Sequence, residues 1–103
     1  YASAYNNRAQ AYRLEGKEDL ALQDLNSAIK HGTGEILGQA FTQKAVILRA
    51  HGDQDGAFYN FSQGAKHGNE VARMAAAKEN PYAKLCGKIV QEQMRQLRNP
   101  TVA

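Results

Sequence analysis

From residue 5 to residue 61, apolar and small side chains recur every three or four positions, the spacing that collects them on one face of an α-helix. Tyr5, Ala9 and Tyr12 form one such face, and Leu22, Leu25, Ala28 and Ile29 form a second. Gly16 stands between them, where a residue free to adopt a left-handed conformation ends one helix before the next begins. The alternation then repeats: Phe41, Ala45 and Leu48, then Gly52, then Ala57, Phe58 and Phe61. Asp53, directly after the second glycine, is placed to cap the helix that follows. The pattern predicts two helical hairpins in succession.

The hairpins are copies of one unit with a period of 36 residues. Ala9 maps to Ala45, Gly16 to Gly52, Ala21 to Ala57, Leu25 to Phe61 and Ala28 to Gly64, and the triplet Lys-His-Gly at 30–32 recurs at 66–68. Small residues at matched positions have a mechanical purpose. Ala9 against Ala21, and Ala45 against Ala57, let the two helices of a hairpin approach closely while larger side chains fill the space around them.

After Gly68 the pattern changes. The alanine-rich stretch from Asn69 to Asn80 reads as a helix, and Asn80 followed by Pro81 reads as the cap and first residue of another. From there Tyr82, Leu85, Cys86, Ile89, Val90, Met94 and Leu97 make an amphipathic stripe, suited to covering the last unit of a repeat stack. The expected organisation is an all-α single domain over 1–98, with repeats at 2–32 and 35–68, a divergent hairpin and capping helix at 69–98, and a flexible tail at 99–103.

Composition narrows the function classes. The 103 residues are 43% hydrophobic and 22% charged, as in ordinary globular domains. The net charge of +3 is spread evenly, without the basic stripe that nucleic acid requires. No apolar run approaches a membrane span, and no signal peptide is evident. The single Cys86 cannot form an internal disulfide, which fits a reducing compartment and leads to the expectation of a cytoplasmic protein.

The order aromatic, small, aromatic, glycine turn, Ala, Leu or aromatic, Ala resembles the tetratricopeptide repeat, whose period is about 34 residues. Tyr5, Ala9, Tyr12, Gly16, Ala21, Leu25 and Ala28 carry the resemblance in the first unit, and Phe41, Ala45, Leu48, Gly52, Ala57 and Phe61 in the second, so that it covers residues 2–68. Departures are two extra residues per period, expected in the His31–Glu35 link, and Gly64 where the family usually has alanine. In the third unit, Pro81 falls where a small helical residue should stand.

The resemblance implies a right-handed superhelix of antiparallel helical hairpins. It also implies a non-enzymatic scaffold for protein–protein interaction, whose first helices line a concave groove. The residues it places there are Ser3, Asn6, Asn7, Gln10 and Arg13, then Gln39, Thr42, Gln43, Val46 and Arg49. The expected partner is a protein or peptide, a heat-shock protein 70 class chaperone among the candidates. Asn7 falls where chaperone-binding members place an asparagine that holds a peptide's terminal carboxylate. Those members carry Lys and Arg where this chain has Gln39 and Gln43, so weak binding of a terminal Glu-Glu-Val-Asp tail is expected. Arg13 and Arg49, one period apart, remain as attractors for an acidic peptide. The alternative is self-association, with homo-oligomers formed by repeat stacking through an uncovered first helix.

No catalytic residues, metal site or cofactor are expected. His31 and His67 share one repeat position at a helix end, His51 ends another helix, and none has the spacing of a metal ligand set. Cys86 lies on an apolar stripe as a small core residue, Glu15 and Asp24 make no evident acid–base pair, and no glycine-rich phosphate loop is present.

Overall fold

The computed structural model describes residues 1–80, 89 and 91–95. Within 1–80 the chain forms five helices: α1 (Ala2–Leu14), α2 (Glu18–His31), α3 (Gly34–Ala50), α4 (Gln54–Lys66) and α5 (Glu70–Glu79). No strand occurs among the described residues. None of the described helices is long and apolar enough to cross a membrane.

The 36-residue shift reappears in the boundaries. Helices α2 and α4 begin at 18 and 54, α3 and α5 begin at 34 and 70, and α1 and α3 end at 14 and 50. Gly16 and Gly52 turn each hairpin with φ of 79° and 84°, a conformation that costs any other residue type steric strain. Asp53 caps α4 as expected, its carboxylate accepting from the Gly56 amide at 2.9 Å. Asn69 caps α5 in the same manner, accepting from the Ala72 amide at 2.9 Å.

The extra residues of the period do not lengthen the link. Only residues 32–33 separate α2 from α3, and α3 begins at Gly34 and runs for 17 residues against 13 in α1. The two Lys-His-Gly triplets accordingly end their helices differently, Gly32 being extended (φ −83°, ψ 163°) and Gly68 left-handed (φ 85°).

Among the described residues two clusters form the core, and each is closed by the helix that follows its hairpin. Ala9, Ala21, Leu25 and Ala28 pack with Ala40 and Ile47 of α3, and Ala45, Ala57 and Phe61 pack with Ala72 of α5. The largest fully buried side chains are Leu25 and Ile47 in the first cluster and Phe61, the register mate of Leu25, in the second. Helix α1 touches α3 and α3 touches α5, whereas α2 and α4 do not meet, so α1, α3 and α5 share one side of the layer.

Gly64 stands where the first unit has Ala28 because three helices converge there. A Cβ at this position would lie 2.8 Å from both the Ala72 Cβ and Thr42 Oγ1, too close for any methyl group. Of the expected capping helix and tail, residues 81–88, 90 and 96–103, with Pro81, Tyr82, Leu85, Cys86, Val90 and Leu97, lie outside the described residues. Ile89 and Met94 of that stripe are described, and both are about half exposed.

Candidate functional site

Helices α1 and α3 lie side by side with their polar faces turned the same way, and the start of α5 closes one flank. The result is an open groove of about 450 Å³. It is lined on α1 by Asn6, Asn7, Gln10 and Arg13, and on α3 by Gln39, Thr42, Gln43 and Val46. Ser3 and Arg49, expected there, are not among its lining residues, and Asn69 and Val71 are. Helical spacing placed the α1 and α3 residues on one face; nothing in the sequence indicated that the α5 cap would reach the same groove.

The floor is an amide network. Asn6, only 3% exposed, donates from Nδ2 to Gln39 Oε1 at 2.9 Å. Its Oδ1 accepts from Gln43 Nε2 at 2.8 Å, and that nitrogen also lies 3.3 Å from the Asn6 carbonyl. Gln39 in turn donates to the Glu35 carboxylate at 3.3 Å. The two glutamines that replace cations of the chaperone-binding pattern are therefore the partners of Asn6, and Asn6 is occupied in joining α1 to α3. Thr42 is buried and donates to the Gly38 carbonyl at 2.6 Å, bracing the turn of α3 behind the groove. Gln43 Oε1 is buried with no hydrogen-bond donor among the described residues.

The side chains of Asn7 and Gln10 are exposed to the groove without hydrogen bonds among the described residues. Arg13 is half-buried at the far end of α1 and likewise has no partner among them. Arg49, its register mate, is engaged: Nη1 donates to Glu79 Oε1 at 3.1 Å, and the guanidinium lies 5.2 Å from the centre of the Phe61 ring. The matched arginines thus differ, one lying in the groove and the other clasping α5 to α3. Beside Gln39 and Asn69 the groove runs into a second depression of about 380 Å³ carrying Glu35 and Glu70.

A further ion pair joins α1 to α2. Arg8 donates from Nε and Nη2 to the two oxygens of Asp24 at 2.6 and 2.7 Å, and the guanidinium lies within 6 Å of the Tyr5 and Tyr12 ring centres, at 5.8 and 5.7 Å. The hydrogen bonds from Arg8 hold the Asp24 carboxyl below the usual carboxylate range, while burial opposes them. Asp24 sits between Ala21 and Leu25 on the apolar face of α2, and a carboxylate in that setting was the available signal. His51 pairs with the Glu18 carboxylate and His67 stacks on Phe41, with ring centres 5.9 Å apart. Among the described residues no group of three His, Cys, Asp or Glu converges on a point.

No family model matches the chain, and no solved structure matches it. Curated proteins do. Tetratricopeptide repeat protein 36 of Xenopus tropicalis is 44% identical over 101 residues, covering 96% of this chain and 50% of that protein. The proteins of the same name from Danio rerio and Homo sapiens are each 43% identical, over 99% and 96% of this chain and 56% and 53% of their own lengths. The chain spans about half the length of these relatives.

Proposed function

Because the chain belongs to the tetratricopeptide repeat family, we propose that it is a non-enzymatic scaffold that holds a segment of a partner protein in the groove between α1 and α3. On this reading the hairpins continue as one right-handed superhelix, and the contacts from α1 to α3 and from α3 to α5 support their continuous stacking. The observation that carries the proposal is the groove itself. It has a hydrogen-bonded amide floor, an aliphatic wall at Val46 and Val71, and polar side chains of α1 along its rim that have no partner among the described residues.

A heat-shock protein 70 class chaperone is the partner to test first, and the chemistry sets the expectation. With Gln39 and Gln43 committed to Asn6, no cation among the described residues stands where a terminal carboxylate would need one, so weak binding of the tail is expected. The test is a heteronuclear NMR titration with a peptide ending in Glu-Glu-Val-Asp. Saturable shifts at Asn7, Gln10 and Val46 support groove binding; shifts confined to α2 and α4 move the interface to the opposite face and overturn it.

A second reading, self-association by stacking, rests on α1. Ala4 and Ala11 are exposed there, whereas their register mates Ala40 and Ile47 are buried against the first hairpin. Light scattering on the eluting chain decides it, a monomer at high micromolar concentration being the contrary result.

A further inference from the structure

The two junctions on the concave side, α1 with α3 and α3 with α5, are related by the 36-residue register, and a comparison of them shows what the first one lacks. At the second junction Arg49 is paired with Glu79, thirty residues on. The equivalent pair at the first junction is Arg13 and Gln43. Glu79 and Gln43 occupy the same repeat position, and each buries one side-chain oxygen with no donor among the described residues, Glu79 Oε2 and Gln43 Oε1. They differ in charge. Glu79 brings a carboxylate to its arginine, while Gln43 brings a neutral amide whose nitrogen is spent on Asn6, and Arg13 is left without an anion among the described residues.

Resting on the groove reading above, we infer that the groove takes an acidic side chain of the partner segment at Arg13, in the place that Glu79 fills internally for Arg49. The Arg49–Glu79 pair is the chain's own copy of that contact. It also closes the second junction, so one acidic side chain is bound per chain. Arg13 is suited to this because it is half-buried in a concave wall, where an ion pair is screened less than on open surface, and because a guanidinium meets a carboxylate through two parallel N–H donors. Val46 and Val71 line the same groove and offer an aliphatic neighbour of the acidic residue a surface to cover.

The experiment uses two blocked peptides, N-acetylated and C-amidated, of sequence Leu-Ser-Glu-Ser-Leu and Leu-Ser-Gln-Ser-Leu, so that the single side-chain carboxylate is the only charge. Their affinities are read by NMR shifts of the Asn7, Gln10 and Val46 amides and of the arginine Nε–Hε groups. The acidic peptide is expected to bind about fivefold to tenfold more tightly than the neutral one, with the Arg13 Nε–Hε shifted and the preference shrinking as salt is raised. Arg13→Gln, which leaves the amide floor untouched, abolishes the preference, and Gln43→Glu abolishes it by filling the site from within. Glu79→Gln frees Arg49 and adds a second saturable response there. Equal binding of the two peptides in the groove overturns the inference and leaves the groove reading standing. Absence of any groove shift with either peptide overturns both.

Discussion

Arg8 and Asp24 close the first hairpin through two hydrogen bonds of 2.6 and 2.7 Å, on a carboxylate that is only 5% exposed. The pair is bidentate and one partner is buried, so removing either side leaves more than a lost surface contact. Its pH signature has a definite sign. A carboxyl whose pKa is lower in the folded chain than in the unfolded one stabilises the fold above the unfolded value, and that contribution is lost as the pH falls through the folded value. For Asp24 the ordinary value is 3.8 and the shift is downward, so the loss begins as the pH falls below about 5 and is complete once the folded carboxyl is protonated. Asp24→Asn is expected to cost about 1–3 kcal/mol at neutral pH and to flatten the fall of the melting temperature in acid. Thermal melts of both chains between pH 7 and pH 3 measure this, and parallel curves would contradict it.

Gly64→Ala tests the three-helix junction. In an ordinary exposed helix interior this change stabilises by about 1 kcal/mol, because alanine is the better helix former. Here the new methyl would lie 2.8 Å from the Ala72 Cβ and from Thr42 Oγ1, and the threonine is held by its 2.6 Å bond to the Gly38 carbonyl. Overpacking of this kind costs about 1–3 kcal/mol, which outweighs the propensity gain. The expected outcome is a lower denaturation midpoint with an unchanged slope; a higher one would mean that α5 moves aside freely.

Asn6→Ala removes the centre of the amide network. Gln39 Oε1 loses its donor and Gln43 Nε2 loses the side-chain acceptor at 2.8 Å, in a setting where Asn6 itself is 3% exposed. A destabilisation of about 1–3 kcal/mol is expected by chemical denaturation, with faster hydrogen exchange along the facing sides of α1 and α3. Wild-type exchange in the variant would show that the network is not what joins the two helices.

Local spacing carried the repeat, the turn glycines and the Asp53 cap, because each depends on residues within a few positions of one another. What depends on the angle between helices did not show. Asn6 and Asn7 are adjacent in sequence and chemically identical, yet the approach of α3 buries one and leaves the other in the groove. Gln39 and Gln43 read as missing cations, and only their distance to Asn6 reveals them as its partners. Arg49 looked like Arg13 until α5, thirty residues downstream, brought Glu79 against it. In each case the deciding contact is made with another helix, and periodicity alone fixes no such partner.

That divergence between register mates gives a test separating binding from stability. Asn7 is exposed and its side chain makes no hydrogen bond among the described residues, so Asn7→Ala is expected to change stability by less than about 0.5 kcal/mol while weakening peptide binding. Arg49 is 44% exposed, but its partner Glu79 is only 15% exposed, and the guanidinium also covers the Phe61 ring. Arg49→Ala therefore leaves a shielded carboxylate without its cation and strips an aromatic contact. After discounting for solvent at the arginine, it is expected to cost about 1 kcal/mol of stability. Binding in the α1–α3 groove is expected to survive it, since Arg49 is not part of the lining. Melting temperature and peptide affinity measured on both variants separate the two roles. If Arg49→Ala lost binding and kept its melting temperature, the arginine would be a ligand contact rather than a clasp, and the binding surface would have to extend toward α5.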